Sequence, residues 1–166
     1  MTVEHALELI VDAEVPKVWR ALHRPRPAGT ELPWRFAFPG GSIEVLLDGD
    51  EAGQGLVRRC TFRVPRYLLS GGVAQSFEAI VEARVDEISR YTAVGKPLWS
   101  EAEGWHRLEE VGEGRTRLTF WERYTALSPW GRVLERRVHA FVSAHNEVAY
   151  TGALARVGHV TRRPAP

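Results

Sequence analysis

The sequence has one cysteine, Cys60, among its 166 residues. A single cysteine excludes an internal disulfide bond and fits a reducing compartment. The N-terminus has no basic region followed by an apolar run, so we expect no signal peptide. No apolar run approaches the ~20 residues that span a bilayer. We therefore predict a cytoplasmic protein that does not enter a membrane.

The charge is nearly balanced, with 22 Lys and Arg residues against 21 Asp and Glu residues and a net charge of +1. The basic residues form no block, and both signs are interspersed along the chain. Nucleic-acid binding and binding to anionic lipid both depend on clustered positive charge. We therefore expect neither nucleic acid nor a membrane surface as a partner.

Several motifs that mark cofactors or nucleophiles are missing. His139 and His145 are six residues apart and fall on different faces of a helix, which does not suit a metal site. No glycine-rich phosphate loop follows a strand, and no Gly-x-Ser-x-Gly motif occurs. Cys60 has no histidine near it in a motif, which favours a small buried residue over a nucleophile. We expect neither a metal nor another cofactor.

Aromatic residues are numerous, with six Trp, four Tyr and six Phe. A surplus of this kind either lines a binding cavity or fills the core, and composition leaves both options open. The length suits one domain, 1–166, with a disordered tail over residues 160–166.

The hydrophobic pattern predicts strands over most of the chain. "HALELIVDA" is a strand, "VPKVWRAL" a helix with Pro16 in its first turn, and "TELPWRFAFPGG" a short helix or packed loop. Strands follow in "SIEVLLDGD", "GLVRRCTFRV", "SFEAIVEARVDEIS" and "RYTAVG", and "SEAEGWHRLEEV" pairs with "RTRLTFWERYTA" as a hairpin across "GEG".

A long helix is predicted after Ser128 and Pro129, which suit an N-cap and the first helical position. One apolar stripe follows spacings of four and three along it: Leu134, Val138, Phe141, His145, Val148 and Gly152. His139 and Asn146 lie off this stripe and are expected to be exposed. The fold class is therefore α+β, a bent antiparallel sheet with one long helix across it.

The chain resembles the START/Bet v 1-like (helix-grip) superfamily, in particular its polyketide cyclase/dehydrase and lipid-transport branch. The resemblance is carried by "LIVDAEVPKVWRAL", "GQGLVRRCTF", "ISRYTAVG" and "HRLEEVGEGRTRLTFWERY" before the final helix. It implies a curved sheet of about six to seven strands around the C-terminal helix, with one or two short helices after the first strand. It also implies a deep cavity between the sheet and the helix.

Matching "GRTRLTFWERY" onto the family's last hairpin places alternate residues inside that cavity: Thr116, Leu118, Phe120, Glu122 and Tyr124. Trp105 and Arg107 are expected to face inward from the neighbouring strand. Glu122 then has two interpretations. Burial among apolar residues would raise its pKa and suit proton transfer, whereas an ion pair with Arg107 would lower it.

Three residues are candidates for catalysis: Glu122, His145 and Tyr124. His145 lies at the centre of the helical stripe, where an imidazole exchanges protons near neutral pH, although a core histidine bonded to a backbone group is the commoner case. Tyr124 could donate to an oxyanion or form a pocket wall. The predicted substrate-binding residues are Trp105, Arg107, Phe120, Leu118, Arg58, Trp34, Trp99, Phe141 and Val138.

The leading hypothesis is an enzyme that folds and cyclises a hydrophobic polyketide-type intermediate, with aromatisation or dehydration by acid/base catalysis. The alternative is a non-catalytic carrier of a lipid or another hydrophobic small molecule, and a third option is a protein-interaction module with a filled cavity. The expected partner is a hydrophobic small molecule, with a homodimer as a further option. The glycines in residues 68–75 suggest a lid.

Overall fold

A single antiparallel sheet dominates the computed structural model, which describes residues 2–38, 40–68, 71–96, 100–127 and 129–163. Within these ranges the sheet has nine strands, in the order β2-β3-β4-β5-β6-β7-β8-β1-β9. The strands are β1 (Thr2–Val11), β2 (Trp34–Phe38), β3 (Gly41–Leu47), β4 (Val57–Arg63), β5 (Val73–Arg84), β6 (Ile88–Lys96), β7 (Ser100–Glu110), β8 (Thr116–Ala126) and β9 (Val160–Arg163).

Two α-helices accompany the sheet in the described ranges. The helix α1 (Val15–Leu22) follows β1, and α2 (Pro129–Leu154) follows β8. Pro16 lies in the first turn of α1, and Val18 and Trp19 are its buried residues. The helix α2 has 26 residues, so it is roughly 39 Å long at 1.5 Å per residue. A short 3-10 turn, Arg66–Leu68, joins β4 to β5.

The sheet bends where its pairing shifts register. One shift lies between Val45 and Leu47 in β3, and another lies between Ile80 and Glu82 in β5. An extra residue on one strand bends that strand and increases its local twist. The sheet is therefore concave toward α2, and the predicted α+β helix-grip architecture is confirmed.

Two strands were not predicted from the sequence. Residues 34–38 were expected in a short helix or loop but form β2, which pairs with β3. Residues 160–163 were expected in a disordered tail but form β9, which pairs with Glu8–Val11 of β1. The N-cap prediction at Ser128 lies outside the described residues, as do positions 69 and 70 of the predicted lid. Residues 73–75 belong to β5.

Two apolar clusters join the sheet to the helices. The larger lies under α1 and the end of α2 and includes Leu9, Val18, Leu118 and Leu154. The smaller lies under the first half of α2 and consists of Val64, Ala74, Tyr124 and Val138. Between the two clusters, the space under α2 is lined by polar side chains, and this region contains the candidate site.

Candidate functional site

A cavity lies between the concave face of the sheet and α2, and it has two chambers. The larger chamber has a volume of about 180 Å³, and the smaller has a volume of about 40 Å³. Four residues line both chambers: Phe62, Glu78, Tyr91 and Asn146. Cavities of roughly 150 Å³ hold one aromatic ring, so the larger chamber accommodates a ligand of at least that size.

Glu122 faces this cavity, as the alternation of β8 predicts. The residues of β8 are alternately buried and partly exposed from Thr116 to Ala126, and Glu122 is only 4% exposed. Its carboxylate lines the smaller chamber. Oε2 accepts hydrogen bonds from the Tyr91 hydroxyl at 2.9 Å and from Asn146 Nδ2 at 3.1 Å. Ser143 Oγ donates to Oε1 at 3.5 Å.

Burial raises the pKa of Glu122 to about 7, even though the hydrogen bonds from Tyr91, Asn146 and Ser143 act in the opposite direction. The nearby Glu78 carboxylate adds to the rise. A carboxyl group that titrates near neutral pH both donates and accepts protons under physiological conditions. The alternative prediction, an ion pair with Arg107 that lowers the pKa, is wrong.

A glycine makes room for the bond between Tyr91 and Glu122. Gly104 pairs with Tyr91 on one side and with Glu122 on the other. A Cβ atom at position 104 would lie 2.6 Å from the Tyr91 hydroxyl and 2.7 Å from two of its ring carbons. Glycine inside a strand often marks such a close approach. The missing side chain lets Tyr91 extend across β7 to reach the carboxylate.

The helix α2 contributes three polar residues to the same cluster: His139, Ser143 and Asn146. His139 Nδ1 lies 3.2 Å from Ser143 Oγ, and His139 Nε2 lies 3.8 Å from Glu122 Oε1. Burial lowers the pKa of His139 to about 4, and His5 adds to this effect. The prediction that His139 and Asn146 are exposed is therefore wrong, since His139 is 5% exposed and Asn146 is half-buried.

An ion pair forms a second polar group, in the wall of the larger chamber. Arg58 Nη2 and Nε each lie 2.8 Å from Glu78 Oε2. Burial opposes the charge on Arg58, but Glu78, with smaller contributions from Cys60 and Tyr150, offsets this and holds the pKa of Arg58 above its ordinary value. Cys60 lines the same chamber, and burial raises the pKa of its thiol. Arg58 thus keeps its positive charge beside the cavity, as the prediction for this residue requires.

A third polar group consists of His106 and Tyr150 in the larger chamber. His106 pairs with Phe120 across the hairpin and is 8% exposed. Its Nδ1 lies 3.2 Å from the Tyr150 hydroxyl, and its Nε2 has no hydrogen-bond partner among the described residues. Burial lowers the pKa of His106 well below the ordinary value, and His23 and Arg58 lower it further. The imidazole is therefore neutral near pH 7.

His23 and Trp19 support His106 from the side of α1. The His23 ring stacks on Trp19 at 3.7 Å between ring centroids, and it lies 4.9 Å from the His106 ring. Burial lowers the pKa of His23 to about 4. A neutral aromatic wall therefore holds the His106 ring in place.

The predicted inward positions of Trp105 and Arg107 are wrong. Directly opposed residues of an antiparallel pair share a face, and Trp105 is opposite Trp121, with 6.3 Å between the ring centroids. Arg107 is exposed, with its guanidinium 5.8 Å from the Trp105 ring centroid. The two residues lie on the convex face of the sheet. The inward positions that Trp105 and Arg107 were expected to fill belong instead to Gly104 and His106.

His145 does not join the Glu122 cluster. Its Nδ1 lies 2.7 Å from the Phe141 carbonyl oxygen, and its ring is edge-on to Phe62 at 6.0 Å. It lines neither chamber, so the predicted meeting of His145 with Glu122 and Tyr124 is wrong. Asn146, the next residue along α2, occupies that position instead.

The other predicted residues divide between cavity and core. Phe120 and Arg58 line the larger chamber, whereas Tyr124 and Val138 line the smaller one. Leu118 belongs to the larger apolar cluster, and Phe141 packs against the smaller one. Trp34 is buried beside Phe36 but does not line either chamber. Trp99 lies outside the described residues.

Two searches of the described residues give negative results. Nowhere in the described ranges do three or more His, Cys, Asp or Glu residues lie where they could hold a metal ion. Neither helix in those ranges is both long and apolar enough to cross a membrane.

The architecture is shared with known structures. The aromatase/cyclase Zhui from a Streptomyces species (sp. R1128) superposes with a TM-score of 0.64 at 19% identity, covering 95% of this chain and 93% of that one. Ara h 8.0201 superposes with a TM-score of 0.66 at 17% identity, covering 95% and 98%. Norcoclaurine synthase from Thalictrum flavum gives 0.59 at 17% identity, covering 93% and 94%.

This chain has the Bet v 1-like helix-grip fold. The fold prediction is thereby confirmed, and at these identities the similarity concerns the fold alone. No protein-family model matches the sequence. No curated protein matches it in sequence either. Proteins with this fold differ in activity, so function has to be argued from the site.

The contact between Gly104 and Tyr91 predicts the effect of adding one methyl group. Gly104→Ala should destabilise the protein by about 1–3 kcal/mol, because the new Cβ displaces the Tyr91 ring from its position over Gly104 and disturbs its hydrogen bond to Glu122. Urea denaturation measures the change. Gly152→Ala is the matched control, since nothing lies within 4 Å of a Cβ there. It should be neutral or stabilising by up to about 1 kcal/mol. Equal effects of the two substitutions would contradict the contact.

The raised pKa of Glu122 predicts how stability changes with pH. The folded protein holds the Glu122 proton up to about pH 7, whereas the unfolded chain releases it near 4.5. The contribution of Glu122 to the free energy of unfolding is therefore full below pH 4.5 and lost as pH rises to 7. The loss is at most roughly 3 kcal/mol, at 1.36 kcal/mol per pH unit.

Glu122→Gln should remove this pH dependence, because an amide does not titrate. Its stability relative to the wild type should increase between pH 5 and pH 8, as measured by denaturation at both values. Glu101→Gln, at an exposed position of β7, serves as the control. No change in the stability of Glu122→Gln relative to the wild type over this interval would show that Glu122 has an ordinary or lowered pKa.

Proposed function

We propose that the protein is a cofactor-independent enzyme that closes a ring in a polyketide-type intermediate by aldol condensation and loss of water. The observation that carries the proposal is the His106–Tyr150 pair in the same chamber as the Arg58–Glu78 ion pair, with His106 Nε2 left without a hydrogen-bond partner among the described residues. Both steps of this reaction need only proton transfer and stabilisation of an enolate, and the cavity walls offer groups for each.

His106 is the proposed base. When Nδ1–H donates to the Tyr150 oxygen, the Nε2 lone pair is free to accept a proton. Removal of a proton from a carbon between two carbonyl groups leaves an enolate, which attacks another carbonyl of the same chain. The lowered pKa of His106 keeps this base neutral throughout the physiological range.

Arg58 is the proposed stabiliser of the enolate oxygen. Its ion pair with Glu78 fixes the guanidinium in the wall of the same chamber. A positioned cation acts strongly on charge that develops in a water-poor site. The Nη1 atom has no bond to Glu78, and its proposed role is to donate to a substrate oxygen.

Tyr91 and Glu122 are the proposed acid. When Glu122 is protonated it donates to the Tyr91 oxygen, and the Tyr91 hydroxyl proton is then free to turn toward the chambers that Tyr91 lines. Ring closure leaves an alkoxide, which takes back the proton held by His106 and becomes a hydroxyl group. Transfer of the Tyr91 proton to this hydroxyl group, with removal of the second proton of the attacking carbon by His106, would then release water. The proton removed by His106 returns to the Glu122 side through solvent between turnovers.

The cavity shape supplies the other part of the rate. An intramolecular ring closure is accelerated when the chain is held in the reactive conformation. Phe62 and Phe120 line the larger chamber and provide flat apolar surfaces for a folded chain. Similarity to an aromatase/cyclase in fold supports the choice of ring closure among the reactions open to these residues.

A non-catalytic carrier of a hydrophobic small molecule is the alternative function. This function is favoured by the modest volume and mostly apolar lining of the larger chamber. The polar groups there could orient one oxygen of a bound ligand. Native mass spectrometry of the purified protein separates the two functions. A carrier retains one molecule unchanged, whereas the enzyme converts an added triketone into a ring-closed product.

Substitution of the proposed base predicts a large loss of rate. His106→Asn should lower kcat for cyclisation of a synthetic triketone by about 100-fold or more, since a positioned base contributes 10²–10⁴-fold. Product is measured by liquid chromatography with mass detection against the spontaneous rate. His159→Asn, at an exposed position, is the matched control. A loss below tenfold for His106→Asn with intact folding would exclude His106 as the base.

The proposed acid predicts the pH profile of the reaction. In the wild type kcat should fall as pH rises through about 7, because Glu122 loses its proton there. Glu122→Gln should lower kcat at pH 6 and abolish this fall, since an amide has no proton to lose. An unchanged alkaline limb in Glu122→Gln would assign the limb to another group and remove Glu122 from the mechanism.

A further inference from the structure

The exposure of its lining residues locates the mouth of the larger chamber. The inner wall is buried and includes Ile80, Tyr91 and Phe120. The exposed lining residues are Ala37 of β2 and Arg156, two residues after α2, and the half-buried lining residues include residues 22–24 at the end of α1. The chamber therefore opens to solvent where these three segments meet.

Two arginines flank this mouth. Arg24 is half-buried, with its guanidinium 5.3 Å from the centroid of the Phe36 ring, and Arg156 is exposed at the end of α2. The cation–π contact holds Arg24 against a side chain that itself lines the chamber. Both cations thus lie along the path that a ligand takes into the cavity.

The charges of the chamber do not balance. Its charged lining side chains are Arg24, Arg58, Arg156 and Glu78, and the buried histidines there are neutral near pH 7 because burial lowers their pKa. Glu78 is paired with Arg58 at 2.8 Å. Within the described part of the chain neither Arg24 nor Arg156 has a carboxylate partner. Two positive charges at the mouth are therefore left for a ligand.

We propose that the ligand is an acid, with an aromatic or polyketide body inside the chamber and a carboxylate held at the mouth by Arg24 and Arg156. Guanidinium groups bind carboxylates through charge-assisted hydrogen bonds. The carboxylate end stays outermost, so the apolar end reaches His106 and Tyr91 first. This inference deepens the proposed function and rests on it for the reacting carbons, although the carboxylate site itself would serve a carrier equally.

A pair of probes that differ in one charge tests the carboxylate site. Naphthalene carboxylate and its uncharged carboxamide have the same ring system, and their binding is followed by naphthalene fluorescence. In Arg24→Gln/Arg156→Gln the dissociation constant of the carboxylate should rise about tenfold, as expected for the loss of two partly exposed charged contacts. That of the carboxamide should change less than twofold. Added salt should weaken only the carboxylate.

The matched control is Arg35→Gln/Arg163→Gln, which removes the same charge from two exposed positions that do not line the chamber. It should leave both dissociation constants within twofold of the wild type. Equal affinity of the wild type for the two probes would overturn the proposal. So would a double variant at 24 and 156 that melts at a lower temperature but binds both probes normally, because Arg156 would then act only on the C-terminus of α2.

The same experiment keeps this inference separate from the proposed function. A protein that binds the carboxylate through Arg24 and Arg156 but does not cyclise the triketone would overturn the enzyme and keep the acid as ligand. A protein that cyclises the triketone but does not discriminate between the probes would overturn the carboxylate site alone. Failure to bind either probe together with failure to cyclise the triketone would overturn both.

Discussion

The buried carboxylate of Glu122 is the interaction on which the arrangement of the site depends. A carboxyl group without partners in an apolar interior would be strongly destabilising. The protein offsets this with donors from two different elements, Tyr91 on β6 and both Ser143 and Asn146 on α2. These bonds connect the sheet to the helix at mid-length, between two apolar clusters. The helix is thereby held above the sheet at a distance that leaves space between them.

The two chambers between the sheet and α2 differ in their polar groups. Glu122 lines the smaller chamber. The larger chamber is lined by the neutral His106, which is hydrogen-bonded to Tyr150, and by the Arg58–Glu78 ion pair. Burial acts on both sets in the direction that disfavours charge, raising the pKa of the carboxyl group and lowering that of the imidazoles. Burial thus favours the protonated carboxyl group and the neutral imidazoles at the same pH, as the proposed acid and base require.

Periodic features of the sequence were good predictors, and features that depend on pairing were not. The alternation in β8 correctly placed Phe120, Glu122 and Tyr124 on the concave face, because side chains alternate along any strand. The opposite strand was placed one residue out of register, and such a slip exchanges the two faces of a strand. Trp105 attracted attention as an aromatic residue, whereas Gly104 has no side chain to suggest a role. Only the pairing shows that the glycine is the inward residue.

The helix and the strands at the sheet edges also differ from the prediction where their position depends on tertiary packing. A helix that packs on a flat sheet buries one narrow stripe, and the prediction placed Val138 correctly on it. The cavity admits a wider arc, so that His139 and Asn146 are also enclosed. The strands β2 and β9 were not predicted, since Pro33 and Pro39 flank β2 and β9 has only four residues. Their pairing with β3 and β1 comes from the tertiary structure rather than from local preference.

The fit of Tyr91 over Gly104 has a consequence for how this protein can change over generations. Any side chain at 104 occupies the position of the ring at 91, so the two positions are not free to vary independently. A larger residue at 104 is compatible with the fold only where 91 has become smaller, and that change removes the donor that reaches Glu122. Substitutions at positions 91 and 104 are therefore coupled. A chain that keeps both residues keeps the donor to Glu122, whereas a chain in which both are exchanged would have a cavity of different shape and chemistry.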